Sequence, residues 1–510
     1  MLILFSRSIH SHNDALSLRP AGGILLRSWR LLSTLFLVLG MVALTSPVVL
    51  ARTNSAPAAP PSRPHSAALE LYTEGVQLAP LLPNLLGVEG PKTYLLLVQN
   101  NHELRATGGF ITAVGTVTIE KGRISALEFT DSYVIAPDNV DHPLAPEPMK
   151  RFMGIEILFL RDANWSPDFP TSARFASSIY AQDVGVQVDG VVTVDLRTVE
   201  LLVGALAPLE VPGTDVVLTG DNVMEQIMRF WDQPPGTDIN PEIGHEWWLQ
   251  RKDFMPLIAQ SAIERIRSGE FNPLSLIEAV NTALNERAVQ IWLADPDAAE
   301  LIAEQGWDGR LLPEAGADYV ALVDMNMGYN KVNAVLERKV DYAVDWPNDG
   351  MAPGQATVTV TYRHPLDVVD DRCSPLTGYG MLVTYTEMIE RCYFGYVRLY
   401  VPGGSELIGI EGVDKESILS QPGERGTRVF AGYFSMKPGE EHTVTFTYHL
   451  PESITPENYS LVVQRQAGID PLPLDIAVGD TTLSTTLADG RMIWSPISST
   501  VTSPSAPAAR

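Results

Sequence analysis

Cysteine is nearly absent: the 510 residues contain two, Cys373 and Cys392. That scarcity excludes thiolate zinc modules, iron–sulfur clusters and a dense disulfide framework. Positive charge is also scarce, with 36 Lys and Arg against 61 Asp and Glu and a formal net charge of −25. Such acidity argues against nucleic acid as a partner, because binding to its backbone depends on Lys and Arg displacing condensed counterions. The 9 histidines are scattered singly, a poor basis for a His-rich metal site. The one His-Glu pair, His245-Glu246, lacks the second His of a zinc-protease helix. Phosphate-cradling GxxxxGK[ST], dinucleotide-binding GxGxxG and nucleophile-elbow GxSxG patterns are missing as well. Apolar material is plentiful: hydrophobic residues make up 45% and charged residues 19%, a balance suited to large cores and, at this length, to two or more domains.

One uncharged stretch runs from Leu31 to Ala51, preceded by Arg19, Arg27 and Arg30 and followed by Arg52. Roughly 20 apolar residues span a bilayer as a helix. The basic flank assigns residues 1–30 to the cytoplasmic side and everything after Arg52 to the outside. Val49-Leu50-Ala51 behind Pro47 also fits a cleaved secretory signal, so residues 31–51 read as either a transmembrane anchor or a signal helix. Both readings export the rest of the chain: a single-pass protein of the cell membrane in one case, a secreted protein in the other. Residues 52–66, rich in Pro, Ala and Ser, form a spacer, and residues 486–510 read as a disordered tail of similar composition.

Between them the pattern changes once. Residues 67–340 read as a mixed α/β sheet covered by helices. YLLLVQN (94–100) has strand length, and Phe110–Ile119 and RISALEFTD form a β-hairpin about the Lys121-Gly122 turn. Val188–Asp195 predicts a further strand and TVELLVGAL a helix. Apolar spacing predicts helices over 247–268 and 275–292, and Asp295-Pro296 opens another to about Glu304. Residues 341–485, with the boundary placed between 335 and 350, hold short alternating strands between Gly and Pro turns, the signature of an all-β, immunoglobulin-like sandwich. Cys373 and Cys392 flank the strand-like GMLVTYTEM there. Outside the cell they read as one disulfide, and a closed loop of this length contributes about 3 kcal/mol in the chain-entropy model.

An up-down-up meander of the first three strands gathers Asn100, Asn101, Glu103, Arg105, Gly108, Gly109 and Asp131 at one edge of the sheet. A second polar group, Arg161, Asp162, Asn164 and Asp168, follows the apolar run 155–160. Arginine captures phosphate or carboxylate bidentately, a Gly pair lets backbone N–H groups approach an anion, and aspartates hold divalent cations. The set suits phosphoryl transfer, where positioning and charge neutralisation carry the chemistry. Arg105, Gly108, Gly109 and Arg161 are the candidate ligand-binding residues and Asp131 and Asp162 the candidate catalytic carboxylates. Asp168 is the candidate ligand of a divalent cation such as Mg2+, a cofactor the sequence itself does not define. The bland reading stands beside this one: such residues also form ion pairs that fix loops.

The motifs NNHELRATGGFI, RDANWSPDFPTSA, VDGVVTVD, DMNMGYNKVNAVLERKVDY and YSLVVQRQAG together resemble a bacterial envelope family known as domain of unknown function 4012, over about residues 90 to 480. The resemblance implies membrane-anchored or secreted proteins and brings no established activity. The chain is also distantly similar to the LytR-CpsA-Psr phosphotransferases, which move polyprenyl-diphosphate-linked glycopolymers onto peptidoglycan outside the cell. That similarity puts Arg105 in place of the arginine of an Arg-Ser-Asp-Thr motif and Asp131 near the end of the following hairpin. Ala106-Thr107-Gly108-Gly109 replaces the rest of the motif, so its aspartate is missing, and Gln99-Asn100-Asn101 stands where an Asp-x-Arg would precede it.

Two functions follow as expectations. The first is an extracytoplasmic envelope protein that binds or transfers a polyprenyl-phosphate-linked glycopolymer, phosphotransferase-like if it is an enzyme at all. The second is a non-enzymatic structural or adhesive protein whose β-sandwich binds a wall polymer or a protein.

Overall fold

The computed structural model describes residues 81–135, 137, 140–234, 247, 250–347, 353–370, 373–375 and 384–496. The basic segment 1–30, the apolar stretch 31–51, the spacer 52–66, His245-Glu246 and the tail beyond residue 496 lie outside the described residues. Among the described residues no helix is long and apolar enough to cross a membrane.

The first part is a mixed α/β sheet with helices. Helix α1 (Leu82–Leu85) leads into β1 (Lys92–Asn100), β2 (Phe110–Glu120) and β3 (Arg123–Asp131), which run up, down and up. Lys121 and Gly122 close the β2–β3 hairpin with positive φ at both residues (51° and 72°), the conformation a two-residue turn needs to match strand twist. Next come α2 (Glu147–Met153), a 3-10 turn (Leu160–Asp162), α3 (Phe169–Val184), β4 (Gly190–Val194) and α4 (Leu196–Leu206). A short hairpin, β5 (Leu209–Glu210) and β6 (Val217–Leu218), precedes α5 (Val223–Asp232), α6 (Phe254–Ser268), α7 (Pro273–Asn285), β7 (Val289–Leu293) and α8 (Pro296–Glu304). The sheet order is β3-β2-β1-β4-β7, with β4 parallel to β1.

Alternation along β1 explains why both faces are covered. Tyr94 and Leu96 join the core beneath α4 to α8, whereas Leu95 and Leu97 join the one under α3. Asp295 caps α8 as its sequence predicts, accepting from the amides of Asp297 and Ala298. The expected helix over 275–292 divides instead. Arg287, at φ 62°, ends the helical run in a left-handed conformation, and Val289–Leu293 becomes the edge strand beside β4.

Asp195 caps α4, accepting from the Thr198 amide at 2.9 Å and its hydroxyl at 3.1 Å. Burial pushes its carboxyl up to about 7. A carboxyl that holds its proton more tightly when folded contributes stability at low pH, and that contribution is lost as pH rises through about 7. Asp195→Asn keeps the acceptor without the charge. In urea unfolding it is expected to match the wild type near pH 4 and to exceed it at pH 8.

The C-terminal part is β-rich. Its strands are β8 (Asp318–Asn326), β9 (Glu337–Asp345), β10 (Gln355–Arg363), β11 (Tyr393–Val401), β12 (Glu406–Glu411) and β13 (Leu419–Pro422). They continue with β14 (Arg428–Met436), β15 (Glu441–His449), β16 (Leu461–Gln464), β17 (Leu472–Val478), β18 (Thr481–Leu487) and β19 (Arg491–Trp494), and a helix α9 (Tyr385–Ile389) precedes β11. Two six-stranded sheets, β12-β15-β10-β9-β17-β18 and β13-β14-β11-β8-β16-β19, contribute to one apolar core. Two pairings, β16 with β8 and β17 with β9, are parallel.

Three expectations need correction here. The β-rich part begins at Asp318, ahead of residue 341, because β8 pairs with β11 and β16. Residues 486–494 belong to strands, with Met492 and Trp494 buried against the core, so no disordered tail starts at 486. The stretch from Thr384 is helical, since Thr384 and Glu387 form a reciprocal capping box that starts α9. The Cys373–Cys392 disulfide is present, with a Cα–Cα distance of 5.4 Å.

Candidate phosphate site

The meander brings its loop residues together. Between β1 and β2 the chain folds back tightly, with the Phe110 amide donating to the Glu103 carbonyl at 2.8 Å and the Gly108 amide to that of Arg105 at 3.0 Å. Gly109 passes so close to β1 that a Cβ there would stand 2.4 Å from the Asn100 carbonyl carbon. Gly108 has φ +127°. The Gly pair therefore serves close backbone approach, and the Gly109 carbonyl accepts from the Asn164 side-chain amide at 2.8 Å.

Arg105 is 2% exposed. Its guanidinium donates to the carbonyls of Asn326 at 2.7 Å and Leu104 at 3.1 Å and to Glu103 at 2.9 Å. The other Glu103 oxygen accepts from Lys331 at 2.6 Å, so one buried carboxylate serves two cations. Burial opposes its charge, but Lys331 and Arg105 outweigh burial and hold the carboxyl below its ordinary value.

A second such group lies at the end of β3. Asp131 accepts from Lys252 at 2.8 Å and stands 3.4 Å from an Arg251 nitrogen. Lys252 also donates to the Thr112 carbonyl at 2.6 Å. Burial pushes its ammonium down to about 7 against the pull of Asp131. Arg161 completes the cluster, its guanidinium over the rings of Phe159 and Tyr133 at 4.3 and 4.7 Å and its Nε 3.8 Å from Asp162. Burial raises the Asp162 carboxyl, offset in part by Arg161 and Arg105. Trp231 and Trp247 meet edge to face near Arg251, and Lys331 faces the rings of Phe110 and Trp231.

Among the described residues the cluster gathers five cations (Arg105, Arg161, Arg251, Lys252, Lys331) around three carboxylates (Glu103, Asp131, Asp162), in a chain of net charge −25. Arg161 has the most open cationic side chain of the five, 19% exposed, beside a Tyr133 that is 39% exposed.

Of the residues singled out in the sequence, Glu103, Arg105, Asp131, Arg161 and Asp162 fall in this cluster. Gly108 and Gly109 shape its loop. Asp168 falls elsewhere: its carboxylate accepts from the Thr171 hydroxyl at 2.7 Å and the Leu311 amide at 3.1 Å, which ties the start of α3 to the segment before β8. Among the described residues no group of three or more His, Cys, Asp or Glu side chains is placed to hold a metal ion. Sequence reasoning missed Arg251, Lys252 and Lys331. The available signals were a basic pair behind Trp247 in an otherwise acidic chain, and the lysine within the DMNMGYNKVN motif.

Residues 89–230 match the model of a family described as "Protein of unknown function (DUF4012)". The family expected from the motifs is thus the one found, over a shorter stretch than 90 to 480. No curated protein matches the chain. Among solved structures, Lin1025 of Listeria innocua shares 15% identity, with 43% of this chain and 78% of that chain covered and a TM-score of 0.24. TagV of Bacillus subtilis shares 14% identity, with coverage of 43% and 80% and a TM-score of 0.25. The gbs0355 protein of Streptococcus agalactiae shares 14% identity, with coverage of 43% and 73% and a TM-score of 0.23. These overlaps are partial and remote.

Proposed function

We propose that this is an exported cell-envelope protein whose cluster at the β1–β2–β3 edge binds the phosphate group of a polyprenyl-phosphate-linked glycopolymer. One observation carries the reading: two carboxylates, Glu103 and Asp131, each hold two cations whose side chains are 7% exposed or less. Buried ion pairs are weak evidence for stability alone, and perturbed ionisable groups gathered at one place mark functional sites. Arginines and lysines gathered around so few carboxylates suit a phosphate oxyanion. The disulfide supports the exported part of the reading, since such bonds persist in oxidising compartments. The uncharged stretch 31–51 behind three arginines supports membrane anchoring or secretion.

Arg161 is the group placed to meet the ligand first, because the other cations are 7% exposed or less and engaged by protein oxygens. Calorimetric titration with a short isoprenyl diphosphate at low salt tests this. Wild-type protein should bind, and Arg161→Ala should lose about tenfold to a hundredfold in affinity, the worth of a charge-assisted hydrogen bond. Wild-type protein that fails to bind sinks the reading and leaves the adhesive alternative.

The same titration has a pH signature. Lys252 is depressed to about 7, so near neutral pH part of the population lacks its proton. An anion nearby favours the ammonium form, and binding must then take up protons at and above pH 7. Affinity should fall as pH rises from about 7, and heats should depend on the buffer's ionisation enthalpy. Buffer-independent heats would remove Lys252 from the site.

A further inference from the structure

Residues 140–145 lie between β3 and α2, and residues 156–159 between α2 and the 3-10 turn that carries Arg161. The two stretches run side by side. Leu144 pairs with Ile157 in an antiparallel bridge, the Leu158 amide donates to the Pro143 carbonyl at 2.8 Å, and the Ala145 amide donates to that of Glu156 at 3.0 Å. Phe159 follows directly, and its carbonyl accepts from the Asp162 amide at 2.9 Å, which closes the turn around Arg161.

His142 ties this pair of stretches to α3. Its side chain is 1% exposed, and that of Asp183, in the last turn of α3, is fully buried. Its Nε2 stands 3.1 and 3.3 Å from the two Asp183 carboxylate oxygens, and its Nδ1 stands 3.0 Å from the Val140 carbonyl. Whichever ring nitrogen carries a proton finds an oxygen acceptor, so the ring is oriented from both sides. Next to it the Gln182 side chain donates to the Asp141 carbonyl at 2.6 Å. Helix α3 is a firm anchor, because Phe169, Ala173, Ala176 and Ile179 are buried in the core under the sheet. The imidazole held in this way lies against the Phe159 ring, with centroids 4.7 Å apart. Phe159 is in turn the nearer of the two rings over which the Arg161 guanidinium lies, at 4.3 Å against 4.7 Å for Tyr133. The face of an aromatic ring attracts a guanidinium, so where Phe159 is seated decides where Arg161 rests.

We infer that His142 is a positioning residue of the phosphate site: clasped between Val140 and Asp183, its ring seats Phe159 and through it the Arg161 guanidinium that meets the ligand. This rests on the phosphate-binding reading. With its side chain buried, His142 acts through Phe159 and not on the ligand itself.

The full chain is titrated calorimetrically with geranyl diphosphate in a double-variant cycle, with folding followed by circular dichroism. His142→Leu should lose about threefold to tenfold in affinity in the wild-type background, and less than about twofold when added to Arg161→Ala, because its effect runs through that guanidinium. A merely structural histidine would cost the same in both backgrounds, and that result overturns the inference. A folded His142→Leu that binds like the wild type also overturns it, while the phosphate reading stands. Should His142→Leu not fold, His142→Gln decides by the same cycle. It keeps a donor for Asp183 but places no ring against Phe159, so about threefold should still be lost, and only where Arg161 is present. Wild-type affinity in a folded His142→Gln then overturns the inference. Wild-type protein that binds no diphosphate overturns the phosphate reading and the inference with it.

Discussion

Asp324→Ala is expected to destabilise the β-rich part by about 3–5 kcal/mol, the usual consequence of leaving one partner of a buried ion pair uncompensated. Asp324 lies in β8 with 1% exposure. Its carboxylate accepts from Arg338 at 2.7 Å and from the Tyr362 hydroxyl at 2.7 Å. Those partners sit on β9 and β10, in the sheet opposite β8, so one carboxylate joins the two sheets across their common core. Without it the Arg338 cation, held above its ordinary basicity chiefly by Asp324 despite burial, remains buried beside the Tyr362 and Tyr393 side chains. The paired replacement Asp324→Leu/Arg338→Met removes both charges and should recover most of the loss. On the surface, Glu337 and Arg363 also bond at 2.7 Å, but both are about half exposed, and Glu337→Ala should change stability by about 0.5 kcal/mol or less. Urea unfolding orders the three: a large loss, a small one, and almost none. Equal losses for Asp324→Ala and Glu337→Ala would show that the sheets do not depend on this contact.

The legibility of the fold followed local chemistry. The β1–β2–β3 meander could be read because β-branched residues alternate about a Lys-Gly turn. The β8 segment, Asp318–Asn326, gave no period-two signal because all nine of its residues are buried, and so it fell on the wrong side of the expected boundary. Residues 286–292 continued an apolar helical pattern. The break is made by Arg287 in a left-handed conformation, which a non-glycine residue does not announce. The tail expectation swept in Arg491–Trp494, whose pairing with β16 depends on a strand far back in the chain. Helix α9 is short, and its capping box lay inside a run of strand-like residues.

The cluster was half legible for the same reason. Glu103, Arg105 and Asp131 stand at strand ends that a meander places side by side. Arg251, Lys252 and Lys331 arrive through contacts such as Lys252–Asp131 and Lys331–Glu103, separated by 121 and 228 residues. Nothing local encodes such contacts. Arg105 drew the most attention in the sequence because of the motif around it, and it is where the structure changes the argument most.

Arg105→Ala should lower stability by about 3–5 kcal/mol, whether or not a ligand is present. Its three hydrogen bonds all go to protein oxygens, two of them backbone carbonyls, and its ring contact is with Phe110 at 5.6 Å. Removal leaves the carbonyls of Leu104 and Asn326 without this donor, and unsatisfied buried groups cost about 1–3 kcal/mol each. It also unpins the loop between β1 and β2 from the end of β8, since the Asn326 carbonyl is reached from across the two parts of the chain. Lost phosphate affinity in this variant would therefore come with a lowered melting temperature and would not identify a ligand contact. Arg161→Ala separates the two roles: its side chain is partly open and its ion pair is long at 3.8 Å, so its stability loss should stay within about 1 kcal/mol. Measured side by side, stability should fall in Arg105→Ala and affinity alone in Arg161→Ala. If Arg105→Ala instead keeps its melting temperature and loses binding, its guanidinium reaches the ligand, and the buried trio around Glu103 is a resting arrangement that opens when phosphate arrives.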